Sequence, residues 1–171
     1  MTTYLILYTT VDGQTKKIAQ FLAEKLAGKV TCQPLEEDIE LQSFDKIIIG
    51  SSIRYGHFPK KLYRFVKKHQ SILEEKQADF FGVNLIARSP EKQKVENNVY
   101  VRKFLEKVTW QPKNVYIFAG ALLYTKYRFF DRKMIQFIMK LTEGPTDPQV
   151  DSEFTDWKQV TSYANQLNHE K

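Results

Sequence analysis

Apolar positions along the chain fall into two kinds of run. Short, nearly continuous runs of β-branched and aromatic residues stand at Thr3–Tyr8, Lys29–Leu35, Lys46–Ile49, Ala78–Ile86 and Val115–Ala119. Apolarity without polar alternation over so few residues predicts strands buried on both faces. Between them, apolar residues recur at intervals of three and four. Ile18, Ala19, Leu22, Ala23 and Leu26 form one set, ending at Gly28; Leu62, Phe65, Val66, His69, Ile72 and Leu73 form a second. Tyr100, Val101, Phe104, Leu105 and Val108 form a third, and Trp157, Val160, Ala164 and Leu167 a fourth, with Thr155 as its expected N-cap. That period predicts helices with one buried face. Strands alternating with helices predict an α/β fold: a doubly wound, five-stranded parallel sheet with helices on both faces. Residues 121–152 depart from the alternation. They exceed the ~12–15 residues of ordinary unstructured loops and carry their own helical segment at about Arg128–Leu141. They read as a long helical insert before the last helix, within one domain spanning 1–171.

Composition narrows the class. The chain has 171 residues, 13% aromatics, a net charge of +6 and one cysteine, Cys32. The aromatic content excludes a disordered chain, and a lone cysteine excludes a disulfide framework or a multi-cysteine metal site, so no metal is expected. The longest uncharged stretch, Asn114 to Thr125, is far short of the ~20 apolar residues of a membrane span. The N-terminal residues lack the basic start and apolar length of a signal peptide. A cytoplasmic protein with an anionic partner is the expectation.

Three loops carry the candidate chemistry. The first strand runs into Thr9-Thr10-Val11-Asp12-Gly13-Gln14-Thr15, and a helix follows at once. A hydroxyl-rich turn ahead of a helix N-terminus offers unpaired N–H groups and partial positive charge to a phosphate, with no Lys or Arg needed. The turn matches neither a dinucleotide fingerprint nor a nucleotide-triphosphate loop. The same residues also suit an ordinary strand–helix turn capped by Asp12, and both readings stand at this point. The third strand leads into Ser52-Ile53-Arg54-Tyr55-Gly56-His57 and the fourth into Asn84-Leu85-Ile86-Ala87-Arg88. In a doubly wound sheet these loops share the edge where ligands bind. For a flat ring ligand, Tyr55 or His57 would flank the ring, backbone N–H groups around Asn84–Ala87 would meet its polar edge, and Arg54 or Arg88 would offset negative charge on it.

The Thr9–Thr15 turn resembles the flavodoxin phosphate loop, with Gly13-Gln14-Thr15 at its end and Asp12 where flavodoxins place a threonine. Taken with Ser52–His57, Val83–Arg88, Ala119-Gly120-Ala121-Leu122 and Thr155-Asp156-Trp157, the chain resembles something narrower. It is similar over nearly its whole length to the flavodoxin-like, quinone-linked protoporphyrinogen IX dehydrogenases, the menaquinone type of bacterial protoporphyrinogen oxidase. In that family the Asp12 departure belongs to the pattern. The resemblance implies an FMN enzyme of haem biosynthesis. It would take six electrons from protoporphyrinogen IX in three two-electron steps and pass them to a membrane quinone, menaquinone or ubiquinone. Flavin N5 would carry the chemistry, and no side chain is obliged to act as an acid or base. The alternative is a flavodoxin-like electron carrier or general quinone reductase.

The insert locates the charge. Residues 121–142 hold Lys126, Arg128, Arg132, Lys133 and Lys140 against the single acid Asp131, a net +4 of the chain's +6. The remainder is close to neutral, which disfavours nucleic acid as a partner. Phe129, Phe130, Met134, Ile135, Phe137, Ile138 and Leu141 accompany these charges. A basic, aromatic-rich helix suits an anionic lipid surface or a tetrapyrrole with two propionates; it also suits plain packing on the sheet edge. Tyr124, Lys126, Tyr127, Arg128, Phe129, Phe130, Arg132 and Lys133 are the substrate or membrane candidates. Peripheral association with the cytoplasmic face of the inner membrane is expected, with a homo-oligomer left open.

Overall fold

In a computed structural model, which describes residues 1–170, the chain forms a five-stranded parallel sheet with strands in the order β2-β1-β3-β4-β5. The strands are β1 (Thr3–Thr9), β2 (Lys29–Pro34), β3 (Lys46–Ser52), β4 (Asp79–Asn84) and β5 (Val115–Ala119). The helices are α1 (Gln14–Lys25), α2 (Lys60–Glu75), α3 (Val99–Lys107), α4 (Phe129–Leu141) and α5 (Trp157–His169).

Side chains of a strand alternate between faces, and here both faces are covered. Leu5, Leu7, Ile47, Ile49, Phe80 and Ile117 pack with Leu62, Phe65, Val66, Val101 and Phe104 of α2 and α3. Their neighbours Tyr4, Ile6, Ile48, Phe81, Val83 and Phe118 pack with Ile18, Ala19 and Leu22 of α1 and Val160, Ala164 and Leu167 of α5. Two buried faces explain why β1, β3 and β4 show no polar alternation; the edge strand β2, read from the sequence as buried on both faces, has no buried residue because only one strand flanks it.

The boundaries differ from the sequence reading at three places. Strand β3 runs on through Gly50-Ser51-Ser52, because the ring of Phe81 lies across Gly50. A Cβ at Gly50 would sit 2.0 Å from Phe81 Cζ. Strand β4 stops at Asn84, whose side-chain Oδ1 accepts the Ala87 N–H at 3.1 Å and turns the chain into a 3₁₀ turn. The N-cap of α5 is Asp156, not Thr155: its carboxylate accepts from the N–H groups of Lys158 and Gln159. The Thr155 hydroxyl instead donates to Ala119 O at 2.7 Å.

The insert is an excursion closed at its base. Strand β6 (Ala121–Leu122) pairs antiparallel with β7 (Ser152–Glu153). Between them, Leu122, Tyr124, Tyr127 and Met139 form a small core of their own, backed by Leu85 and Ile135. The far end of α4 is held by Arg88, whose guanidinium donates to Thr142 O and Oγ1 at 3.0 and 3.1 Å.

Candidate active site

The carboxyl ends of β1, β3, β4 and β5 open onto one cavity of about 170 Å³. It lies where the strand order reverses around β1 and β3, the place where doubly wound sheets bind ligands. Thr10, Val11, Asp12, Gln14 and Thr15 line one end; Ser52, Ile53, Arg54, Tyr55, Gly56, Asn84, Leu85 and Ile86 line the middle. The insert closes the outer side with Tyr127, Ile135, Ile138 and Met139.

The phosphate-loop end is built by backbone geometry. Gly13 occupies the N-cap of α1 at φ 97°, with no side-chain cap on the helix. The left-handed backbone is one glycine adopts freely, and it leaves the first N–H groups of α1 available to an anion. Asp12 therefore does not cap the helix. The loop's side chains divide their tasks. Thr9 is buried and shares a 2.6 Å hydrogen bond with Ser51, and Thr10 Oγ1 accepts the Gly13 N–H. Gln14 donates to Thr155 Oγ1 and Glu153 Oε2 at 2.9 and 3.1 Å. Thr15 Oγ1 is different: it is buried and has no hydrogen-bond partner among the described residues, as is true of Ser52 Oγ. A buried hydroxyl costs free energy unless it is bonded. Two orphaned hydroxyls in the walls of one cavity, beside an uncapped helix N-terminus, fit a phosphorylated polar ligand with an apolar ring.

The β3–α2 loop is a tight hairpin. Arg54 and His57 exchange backbone hydrogen bonds at 3.0 and 3.1 Å, and the two residues between them, Tyr55 and Gly56, both have positive φ, 50° and 80°. That is the pattern of a type I′ turn. Gly is usual there; Tyr is not, and the turn aims Tyr55 outward at the insert. The Tyr55 hydroxyl donates to Asp131 of α4, and this bond raises the phenol pKa above its ordinary value. Arg54 Nη2 lies 4.0 Å from Asp12 Oδ1 and 3.8 Å from Asp131 Oδ2, with Tyr55 and Tyr127 rings at 5.6 and 5.8 Å. Burial pushes the Asp12 carboxyl up against the opposing pull of Arg54. Burial also pushes Tyr127 up to about 12, against the Leu123 N–H donated to its hydroxyl oxygen.

Several candidate residues stand elsewhere. Arg88 is spent on Leu85 O and Thr142. The Ala87 N–H is taken by Asn84, and Ala87 is fully buried. His57 faces a second cavity of about 310 Å³ with Phe58, Lys60 and Lys61, which borders the first at Thr10, Val11, Ser52 and Arg54. Tyr124 is wholly buried in the insert's core, its hydroxyl donating to Pro145 O, so it packs the insert and presents nothing to a ligand or lipid. Lys126 reaches back to donate to Asp12 O at 3.3 Å, while Arg132 donates to Tyr127 O. Arg128, Phe129, Phe130 and Lys133 are exposed or largely so. Tyr100, Gly120, Ala121, Ile135, Ile138 and Met139 line the cavity without having been among the cofactor or substrate candidates. Their sequence signal is ordinary helix and strand apolarity.

The sequence profile of the flavodoxin domain matches residues 5–149. The protoporphyrinogen IX dehydrogenase [quinone] of Escherichia coli is 42% identical, over 96% of this chain and 94% of that one. The chain belongs to the flavodoxin-type protoporphyrinogen IX dehydrogenase [quinone] family. A relative of that name from Leishmania major is 44% identical, over 94% of this chain and 72% of its own. Oxidised flavodoxin 2 of Bacillus cereus shares the fold, with a TM-score of 0.50 at 22% identity over 82% of this chain and 98% of that one. The flavodoxin domain supports flavin binding by this chain.

Proposed function

We propose that the chain binds FMN and oxidises protoporphyrinogen IX to protoporphyrin IX, passing the electrons to a membrane quinone. The observation that carries this is the pairing of two halves in one cavity. One half is the uncapped α1 N-terminus with the orphaned Thr15 hydroxyl; the other is α4, which walls the cavity with Ile135, Ile138 and Met139 and carries its basic and aromatic side chains on the outside. The relatives named above supply the substrate and the acceptor.

FMN supplies a two-electron acceptor that can be refilled and emptied three times, for the six electrons and six protons that separate porphyrinogen from porphyrin. The chain's residues do the rest. The first N–H groups of α1 and the Thr15 hydroxyl would hold the phosphate, and Ser52 would bond the polar chain beyond it. Ile53, Tyr55, Leu85 and Tyr100, which line the cavity, would give the ring apolar walls. Ile135, Ile138 and Met139 would keep water from the site.

α4 also supports a second part of the reading. No described helix is long and apolar enough to cross a membrane, yet α4 leaves Phe129, Phe130, Phe137 and Leu141 exposed beside Arg128, Lys133 and Lys140. An apolar ridge with a basic rim suits the headgroup region of an anionic bilayer, where the quinone resides.

The deciding experiment is anaerobic. Protoporphyrinogen IX added to the flavin-loaded protein should bleach the flavin absorbance, and a quinone should restore it. Flavin that stays oxidised under excess protoporphyrinogen would refute the assignment. A chain in which Tyr124–Leu141 is replaced by a short Gly/Ser linker should keep its flavin and lose this reaction. A linker variant with full turnover would leave the insert without a part in catalysis.

A further inference from the structure

One guanidinium, Arg54, faces two carboxylates, Asp12 and Asp131, at 4.0 and 3.8 Å. The two anions are not equivalent. Asp12 belongs to the loop after β1, part of the sheet body. Asp131 rides on the first turn of α4, and it alone also takes the Tyr55 hydroxyl. A planar guanidinium and a phenol converging on one carboxylate is a recognition site for that group. The turn that brings Tyr55 there holds a non-glycine residue at φ 50°, a conformation uncommon outside Gly, Asn and Asp. Nothing in the packing of the body requires it: the Tyr55 side chain is among the exposed large apolar residues of the chain.

The cavity behind this pair has about 170 Å³, below the roughly 300–1,000 Å³ of sites for small molecules and cofactors. Its outer wall is α4, through Ile135, Ile138 and Met139. A ligand as large as a tetrapyrrole stacked on a ring therefore needs α4 to move outward. The helix is weakly attached for such a move, since Met139 is its one buried residue. Arg88 and Thr142 pin its C-terminal end, and Asp131 ties down its N-terminal end. Outward movement about the pinned end withdraws Asp131 and leaves Arg54 and Tyr55 at the mouth with a carboxylate's place to fill.

We propose that Arg54 and the Tyr55 hydroxyl seat one propionate carboxylate of the tetrapyrrole, and that Asp131 holds this seat as an internal stand-in until the substrate displaces it. The inference rests on the porphyrinogen-oxidising reading above and adds to it a binding residue pair and a gate. Exchange of one carboxylate for another keeps the local charge constant, so substrate entry leaves no uncompensated ion at the mouth.

The test uses the full, flavin-loaded chain and protoporphyrin IX, the unreactive product, with binding read from quenching of its fluorescence. The dimethyl ester serves as the probe without carboxylates. Removing the stand-in, in Asp131→Asn, should tighten the free acid about tenfold and leave the ester unchanged, because a competing charge-assisted pair is gone. Tyr55→Phe keeps the ring and should weaken the free acid about threefold to tenfold, again sparing the ester. Arg54→Gln should remove the preference for acid over ester. In the Arg54→Gln background, Asp131→Asn should no longer tighten binding, since the seat is gone. Free-acid affinity unchanged or weakened in Asp131→Asn, or acid and ester falling together in Tyr55→Phe, overturns the seat. A wild-type protein that oxidises the porphyrinogen while failing these tests loses only this inference. One that neither binds nor oxidises it loses the function as well.

Discussion

Two helices of nearly equal length use apolar residues in opposite ways. Helix α1 has 12 residues and buries Ile18, Ala19 and Leu22 completely against the sheet. Helix α4 has 13 residues, buries Met139, and leaves Phe129, Phe130, Phe137 and Leu141 between 63% and 82% exposed. The sequence pattern reports only that a face avoids water. What replaces the water differs: for α1 it is the protein's own core, and for α4 the function proposed above assigns it to a partner outside the fold. Substitutions in the sheet body should therefore be read out in stability, and substitutions on the exposed face of α4 in binding.

The sharpest way to break that division is in the sheet. Gly50→Ala places a methyl group 2.0 Å from the Phe81 ring, and overpacking of this kind should cost about 2–3 kcal/mol in denaturant unfolding. A tolerated alanine would mean that the β3–β4 contact is looser than described. Next comes Thr15→Val, which removes the orphaned hydroxyl and should weaken FMN about tenfold, near 1.4 kcal/mol, in equilibrium dialysis. Unchanged affinity would take Thr15 out of the phosphate site.

A smaller effect lies at the opposite end of the sheet. Glu170 accepts from Lys113 at 2.7 Å and Lys46 at 3.1 Å. Although burial pushes its carboxyl up, those two ammonium groups hold it at about 2. The usual value is about 4.3. A depressed carboxylate stabilises the fold fully above its unfolded pKa and loses that contribution as pH falls towards its folded one. Between about pH 4.3 and pH 2 the protein should lose on the order of 1 kcal/mol through this group, and Glu170→Gln should flatten that limb. Identical acid limbs for the two proteins would deny the ion pairs any net effect. The smallest change in stability should come from Phe130→Ser with Phe137→Ser, within about 0.5 kcal/mol of the parent. The same pair should lower co-sedimentation with anionic vesicles at least about tenfold. Unaltered vesicle binding, or a large loss of stability, would assign α4 to the body after all.

The sheet was legible because its signals are local: five apolar runs and four helical periods, the first stopped by Gly28. What escaped the sequence depends on distant partners. The extension of β3 through Ser52 needs Phe81 lying over Gly50, two strands that only folding brings together. Strands β6 and β7 have two residues each, too few for any pattern. In the site, the three loops are legible by their order after the strands, and the cavity gathers them. Their internal division of labour is not. Arg88 reads as a ligand group until Thr142, far along the chain, claims its guanidinium. Tyr124 reads as a substrate or membrane candidate until the insert proves to have its own core. Tyr100 reads as one more position on a helical stripe, and only the fold turns it towards the cavity beside Gly56, where a Cβ would lie 3.3 Å from its ring.

The ladder between Ala121 and Glu153 makes the insert a portable piece. Its entry and exit lie one strand spacing apart, about 4.8 Å, so a turn of a few residues can bridge them and the parallel sheet keeps its order. Loop closure over so short a gap varies little with the length of what lies between. The same two strand ends could therefore carry a different excursion, with other aromatics or another charge, over an unchanged phosphate loop. Grafting residues 121–153 onto a short flavodoxin would transplant the ridge, the Asp131 stand-in and the outer wall together, leaving the recipient to supply counterparts of Arg54 and Tyr55 as partners for Asp131.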